Sequence, residues 1–271
     1  MTEVQTRRIL VLDSGRIGPA LSIQEVLGPD PAVLGSVTII DPLETALDPD
    51  ALPGLATRAM AHADELGPAA AGPHTVVAHC TNTALAFALA AELAARGCPE
   101  PQLVVFAPTL VDRELVADHA AELLGALGLP KAEVEAFTDR VWSAAAAPAA
   151  ALELTCRRLR ELTTAEAEAS GFDHEEAEVF AAELSERYER WLSHLTGQLD
   201  VTFPGAALTV DLVDDDLAGG RGVLARVTAT GTVREHHCDS PTAFSDPALH
   251  ERFRWILALP AAASDPSLGE M

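Results

Sequence analysis

The sequence predicts an α/β fold, a mostly parallel sheet interrupted by an inserted block of helices. Three observations predict it. Short apolar runs alternate with loops and helical segments over the first 111 residues. No convincing strand signal occurs between Asp112 and Leu199. Strand signals then return ahead of a last helix. Strands alternating with helices bury both sheet faces, and such strands read as continuous apolar runs. The predicted division is an α/β core of residues 1–111 and 200–271, with a helical lid of residues 112–199 inserted in it.

The elements follow in order. Ile9-Leu10-Val11-Leu12 is a buried strand closed by Asp13-Ser14-Gly15, and Val37 to Ile40 repeats the pattern before Asp41-Pro42. Leu52 to Leu66 reads as a helix with Leu55, Ala59 and Leu66 on one side, Pro53 in its first turn and Gly67-Pro68 at its stop. Thr75 to Ala78 is the next strand. Thr83 to Arg96 is an Ala/Leu/Phe helix stopped by Gly97. Leu103 to Phe106 is a strand broken by Pro108. The block beyond it reads as four helices, Leu115 to Leu127, Lys131 to Ser143, Ala149 to Glu168 and His174 to Leu195, punctuated by Gly128, Pro148 and Gly171. Strands are expected at Ala207 to Val213 and Gly222 to Arg234, and a helix from Pro247 to Leu259. The Ala/Ser/Pro-rich tail from Pro260 is expected to fray.

Composition narrows the function. The 271 residues are 48% hydrophobic, enough for a sizeable core built from Ala, Leu and Val, since aromatics make up only 4%. With 18 Lys and Arg against 41 Asp and Glu, the net charge is −23. Such a field repels phosphate, so nucleic acid and anionic membrane are not expected partners. No apolar run reaches the ~20 residues of a membrane span, and no signal-peptide stretch precedes Leu12. Cys80, Cys98, Cys156 and Cys238 are scattered without paired spacing. That argues against a disulfide framework or a zinc site and points to a reducing cytoplasm. No metal or cofactor is expected.

The most informative segment is His74 to Ala90, HTVVAHCTNTALAFALA. A strand turns sharply into a small-residue helix, with Cys80 at the turn. This geometry lifts one side chain to the edge of the sheet at a helix N-terminus. Backbone N–H groups there stabilise an anion, and the helix dipole favours a thiolate.

The segment resembles the nucleophile elbow of the thioesterases that serve polyketide and nonribosomal peptide synthases, in the α/β-hydrolase superfamily. Gly72-Pro73 and the strand after it, the helix from Ala84 to Leu93, the strand Leu103 to Phe106 and the helical lid all follow that family's order. The resemblance implies an acyl-processing enzyme of antibiotic biosynthesis. Its substrate would be a phosphopantetheine-linked acyl or peptidyl thioester on a carrier protein, and its outcome hydrolysis, cyclisation or transfer.

The departures from the family pattern define the candidate site. The family's Gly-X-Ser-X-Gly is here Ala78-His79-Cys80-Thr81-Asn82, so a cysteine is the candidate nucleophile. The family's acid slot after the strand ending at Phe106 holds Ala107, and Asp214 and Asp216 lie near the later slot. The histidine slot holds Ser240, with His236 and His237 just upstream. Adjacent residues on a strand point to opposite faces, so at most one of this pair can face the site as base. Ser14, Gly15, His79 and Thr81 are the candidate oxyanion and substrate contacts. Docking of an acidic carrier onto so acidic a chain calls for a basic patch, with Arg157, Arg158 and Arg160 first and Arg221 and Arg226 second. Two alternatives stand beside this reading. One is a degenerate hydrolase fold that binds an acyl chain or a carrier protein without chemistry. The other, ranked lower, is an enzyme of the aspartate/glutamate racemase kind, which Asp13-Ser14-Gly15 and Cys80-Thr81-Asn82-Thr83 resemble.

Overall fold

In the computed structural model the apolar runs of the sequence form six strands. The structure describes residues 8–13, 36–43, 61–62, 64, 74–98, 101–143, 146–199, 207–226, 230–239 and 247–258. The expected helix over 52–66 and the tail from Pro260 lie outside them, apart from residues 61, 62 and 64, which are helical. By its internal contacts the chain divides into two compact units. One is Met1–Pro42, Leu55–Leu110 and Val201–Met271; the other is Leu43–Gly54 and Val111–Asp200.

The first unit holds the sheet. Its strands are β1 (Arg8–Leu12), β2 (Ser36–Ile40), β3 (His74–His79), β4 (Gln102–Phe106), β5 (Ala207–Asp214) and β6 (Thr230–His237). The order across the sheet is β2-β1-β3-β4-β5-β6, and every pairing is parallel. All carboxyl ends therefore lie along one edge. Alternate residues feed two cores. Leu10, Val76, Ala78, Leu103, Val105 and Leu212 pack on one face with helix α1 (Thr83–Ala95). This helix is buried on every side from Thr83 to Ala91, which small Ala side chains permit. Ile9, Val11, Val77, Val104, Phe106 and Val213 pack on the other face. There they meet helix α7 (Pro247–Ala258), whose Phe253 ring meets Phe106 edge-on at 5.1 Å.

The second unit is helical, with α2 (Arg113–Ala126), α3 (Lys131–Val141), α4 (Pro148–Ala169) and α5 (His174–Thr196). Three of the four starts have a local cause. Asp112 accepts from the Leu115 N–H ahead of α2, Pro148 opens α4, and Asp173 with Glu176 forms a capping box on α5. Gly128 and Gly171 end α2 and α4 at φ +84° and +100°, a conformation other residues reach only with strain. The core is Val116, Leu124, Val141, Trp142, Leu159, Leu192 and their neighbours, and the buried Trp142 indole donates to Thr155 Oγ1 at 3.1 Å.

One expectation is corrected. The strand expected over Gly222 to Arg234 begins only at Thr230, and Leu217–Arg226 forms helix α6. Asp216 caps this helix by accepting from the Gly219 N–H at 3.0 Å, and Gly220 and Leu224 turn inward one turn apart. A Cβ on Gly220 would lie 2.9 Å from both Asp214 Oδ2 and a Leu212 methyl, so the glycine lets α6 seat against β5. No described helix is long and apolar enough to cross a membrane.

Candidate active site

β3 runs straight into a 3-10 turn, Cys80–Asn82, which opens α1. Cys80 is the first residue of that turn and has φ +50°. A non-glycine residue there is strained by about 1–3 kcal/mol, and such strain persists only where the surroundings enforce it. Three contacts enforce it here. Asn82 Nδ2 donates to the Leu12 carbonyl at 3.4 Å, tying the turn to the end of β1. Thr83 Oγ1 donates to the Cys80 carbonyl at 2.5 Å. The Thr109 N–H, past the end of β4, donates to Thr83 Oγ1 at 3.3 Å. The result holds the Cys80 side chain at the carboxyl edge of the sheet, with its Sγ donating to Thr109 Oγ1 at 3.6 Å.

Thr81 and Asn82 are buried and His79 is half-buried. Burial pulls the His79 imidazole down to about 4, so it is neutral at pH 7. A buried neutral histidine binds fewer protons than its unfolded counterpart between pH 6.5 and pH 4. Stability is therefore expected to fall by up to about 3 kcal/mol as pH drops through that window. Urea unfolding of the wild type and His79→Phe at pH 7 and pH 4.5 checks this, the variant losing less than the wild type.

The other candidates do not converge on the thiol. His236 Nε2 lies 2.8 Å from Asp211 Oδ1, and the Trp255 ring meets its imidazole edge-on. His237 is exposed, with Nε2 3.0 Å from Asp239 Oδ1. Both sit on β6, three strand steps from β3, a separation of about 14 Å. Neither histidine is hydrogen-bonded to Cys80. Asp214 is buried, accepts from the Asp216 N–H at 3.4 Å, and burial pushes its carboxyl up. Asp216 is spent on the cap of α6. Ser14, Gly15 and Ser240 lie outside the described residues. Ala107, in the empty acid slot, adopts φ +43°.

Two of the other cysteines are unsuited to nucleophilic work. Burial raises the Cys98 thiol, whose Sγ lies 3.5 Å from His74 Nδ1. Burial and then the nearby Glu189 push the Cys156 thiol up to about 12. Four of the five arginines expected to receive a carrier are already paired, Arg157 with Glu153, Arg158 with Glu161, Arg160 with Glu189 and Arg221 with Glu235.

The sequence reading missed two features. One is Thr109 and its link to Cys80. Its signal was the hydroxyl residue that follows the strand next to the elbow. The other is a buried polar network around Asp211 in the middle of β5. Its two carboxylate oxygens accept from Arg234 at 2.8 and 2.5 Å, and Gln102 Nε2 donates to it at 2.6 Å. Thr75 Oγ1 extends the network by donating to Gln102 at 3.1 Å. Burial alone would raise the Asp211 carboxyl. The hydrogen bonds from His236, Arg234 and Gln102 outweigh it and hold the group below the usual carboxylate range.

An all-parallel sheet, an elbow with a left-handed nucleophile-type residue after β3, and four helices between β4 and β5 together make an α/β-hydrolase-type fold. Solved structures of that fold match the chain. One is the Vlm2 thioesterase domain bound with a dodecadepsipeptide, with a TM-score of 0.52 at 16% identity over 93% of this chain and 92% of that one. The same domain in space group H3 matches at 0.51 and 14%, over 95% and 98%. The third is holo-AB3403, a four-domain nonribosomal peptide synthetase bound to AMP and glycine. It matches at 0.52 and 13%, over 94% of this chain and 20% of the synthetase. No protein-family model and no curated protein matches the chain.

Proposed function

We propose that the protein processes acyl thioesters, with Cys80 as nucleophile and a phosphopantetheine-linked acyl or peptidyl group of a carrier protein as substrate. The observation that carries this reading is the strained φ of Cys80 at the end of β3, directly before the N-terminus of α1. The likeness in fold to a thioesterase domain and to a nonribosomal peptide synthetase supports the substrate class. In the first step the Cys80 sulfur bonds to the acyl carbon as the carrier's C–S bond breaks. The thiol proton ends on the departing carrier thiol. One thioester replaces another, so the exchange is close to balanced in energy. The Thr81 backbone N–H, next along the elbow, is the proposed oxyanion donor. Residues 112–199 are the lid in this reading. The acyl group leaves when water, a nucleophile of the acyl chain itself or an external acceptor attacks acyl-Cys80.

The second reading is a binder without chemistry. It is favoured by one observation, that neither His236 nor His237 is hydrogen-bonded to Cys80. Release of thiol from acyl-pantetheine separates the two. The proposal expects one free thiol per acyl group consumed. Binding of the thioester with no thiol released, across short and medium acyl chains, overturns it in favour of the binder.

A further inference from the structure

We propose that Thr109 is the positioning residue that aims Cys80 and stabilises its thiolate. This deepens the reading of Cys80 as nucleophile and rests on it. The geometry is a closed ring of hydrogen bonds. Cys80 Sγ donates to Thr109 Oγ1 at 3.6 Å, the Thr109 N–H donates to Thr83 Oγ1 at 3.3 Å, and Thr83 Oγ1 donates to the Cys80 carbonyl at 2.5 Å. The Thr109 hydroxyl is therefore fixed relative to the elbow itself, not merely to the loop after β4.

That hydroxyl faces two groups. It accepts from the thiol and donates to the Ala107 carbonyl at 3.3 Å, a long bond. Ala107 is held at φ +43° with its N–H on the Val213 carbonyl at 2.9 Å, so its own carbonyl is set in place for Thr109. When the thiol loses its proton, rotation about Cβ–Oγ moves the hydroxyl hydrogen from the Ala107 carbonyl to the sulfur. A long neutral bond is exchanged for a charge-assisted one, which is stronger. The half-exposed Ala107 carbonyl can then turn to water. The same contact fixes the χ1 rotamer of Cys80 in both protonation states.

The test is the pH profile of Cys80 alkylation by iodoacetamide. The sulfur–carbon bond forms, iodide leaves and the thiol proton goes to solvent. Modification is followed by mass spectrometry on the tryptic fragment 59–96, in which Cys80 is the sole cysteine. Relative to wild type, Thr109→Val is expected to move the midpoint up by about one pH unit and to slow alkylation about tenfold at pH 7. Thr109→Ala must reproduce the shift, and it stands in if the valine disturbs folding. Thr109→Ser, which keeps the hydroxyl, is expected to match wild type. A Thr109→Ala midpoint equal to wild type overturns the proposal. So does a Thr109→Ser profile that follows Thr109→Ala, because the γ-methyl would then be the active part. The readout needs no thioester. A shifted midpoint in a protein that releases no thiol from acyl-pantetheine leaves Thr109 in its role and removes only the functional reading.

Discussion

Arg234→Ala is expected to cost about 3–5 kcal/mol of stability at pH 7. Asp211 is fully buried, and Arg234 is the cation that binds both of its oxygens. Gln102 remains in the variant, but a neutral amide does not neutralise a buried carboxylate. His236 Nε2, 2.8 Å away, is a second donor but a single-point one. For a chain of this size the loss lowers Tm by about 10 °C. Arg234→Lys is expected to fall between, since one ammonium cannot reproduce a two-pronged guanidinium. The penalty has a pH signature. In the wild type Asp211 titrates below its unfolded counterpart, so its contribution is full above the unfolded value near 4 and is lost as pH falls below that. In the variant protonation relieves the unpaired charge, so the gap between variant and wild type must narrow from pH 7 to pH 4. Urea midpoints at the two pH values measure this. A constant gap would mean that packing of the arginine stem, not its charge, supports β5 and β6.

Cys80→Ala is expected to lower kcat on an acyl thioester by at least about a thousandfold, with KM little changed. A thousandfold corresponds to about 4 kcal/mol of transition-state stabilisation. The thiol forms the new bond, while the groups around the acyl chain and the Thr81 N–H remain in the variant. The effect therefore falls on kcat. Alanine also keeps the small volume the elbow needs between β3 and α1. Thermal unfolding of Cys80→Ala is expected to differ little from wild type, since alanine keeps the Cβ and with it the strain of the turn. A variant that loses activity and stability together would point to a structural role for Cys80.

The sheet was legible because parallel strands are apolar on both faces. Ile9 to Leu12 and Leu103 to Phe106 carry that signal in four residues each. The four helices of residues 113–196 were legible from the punctuation by Gly128, Pro148 and Gly171. Helix α6 was not, because Gly219, Gly220 and Gly222 read against a helix. At Gly220 the reason is tertiary: a Cβ there would run into the Asp214 carboxylate and a Leu212 methyl of β5. The same holds at the site. Cys80 announced itself through local order, a strand, a turn and a small-residue helix. Thr109 could be found only by knowing that β4 lies next to β3. The surroundings of His236 and the acids could not be read from sequence distance. Strand register decides their partners instead. Asp211 pairs with Arg234 across β5 and β6, and His236 two residues on shares that face.

During turnover an acyl group is expected to reside on the sulfur of Cys80. Mass spectrometry of fragment 59–96, taken from wild-type protein quenched during reaction with acyl-pantetheine, tests it most directly. This fragment is expected to gain the mass of the acyl group less one hydrogen, and the gain to disappear at the rate of turnover once substrate is exhausted. Turnover at full rate with fragment 59–96 unmodified would contradict it.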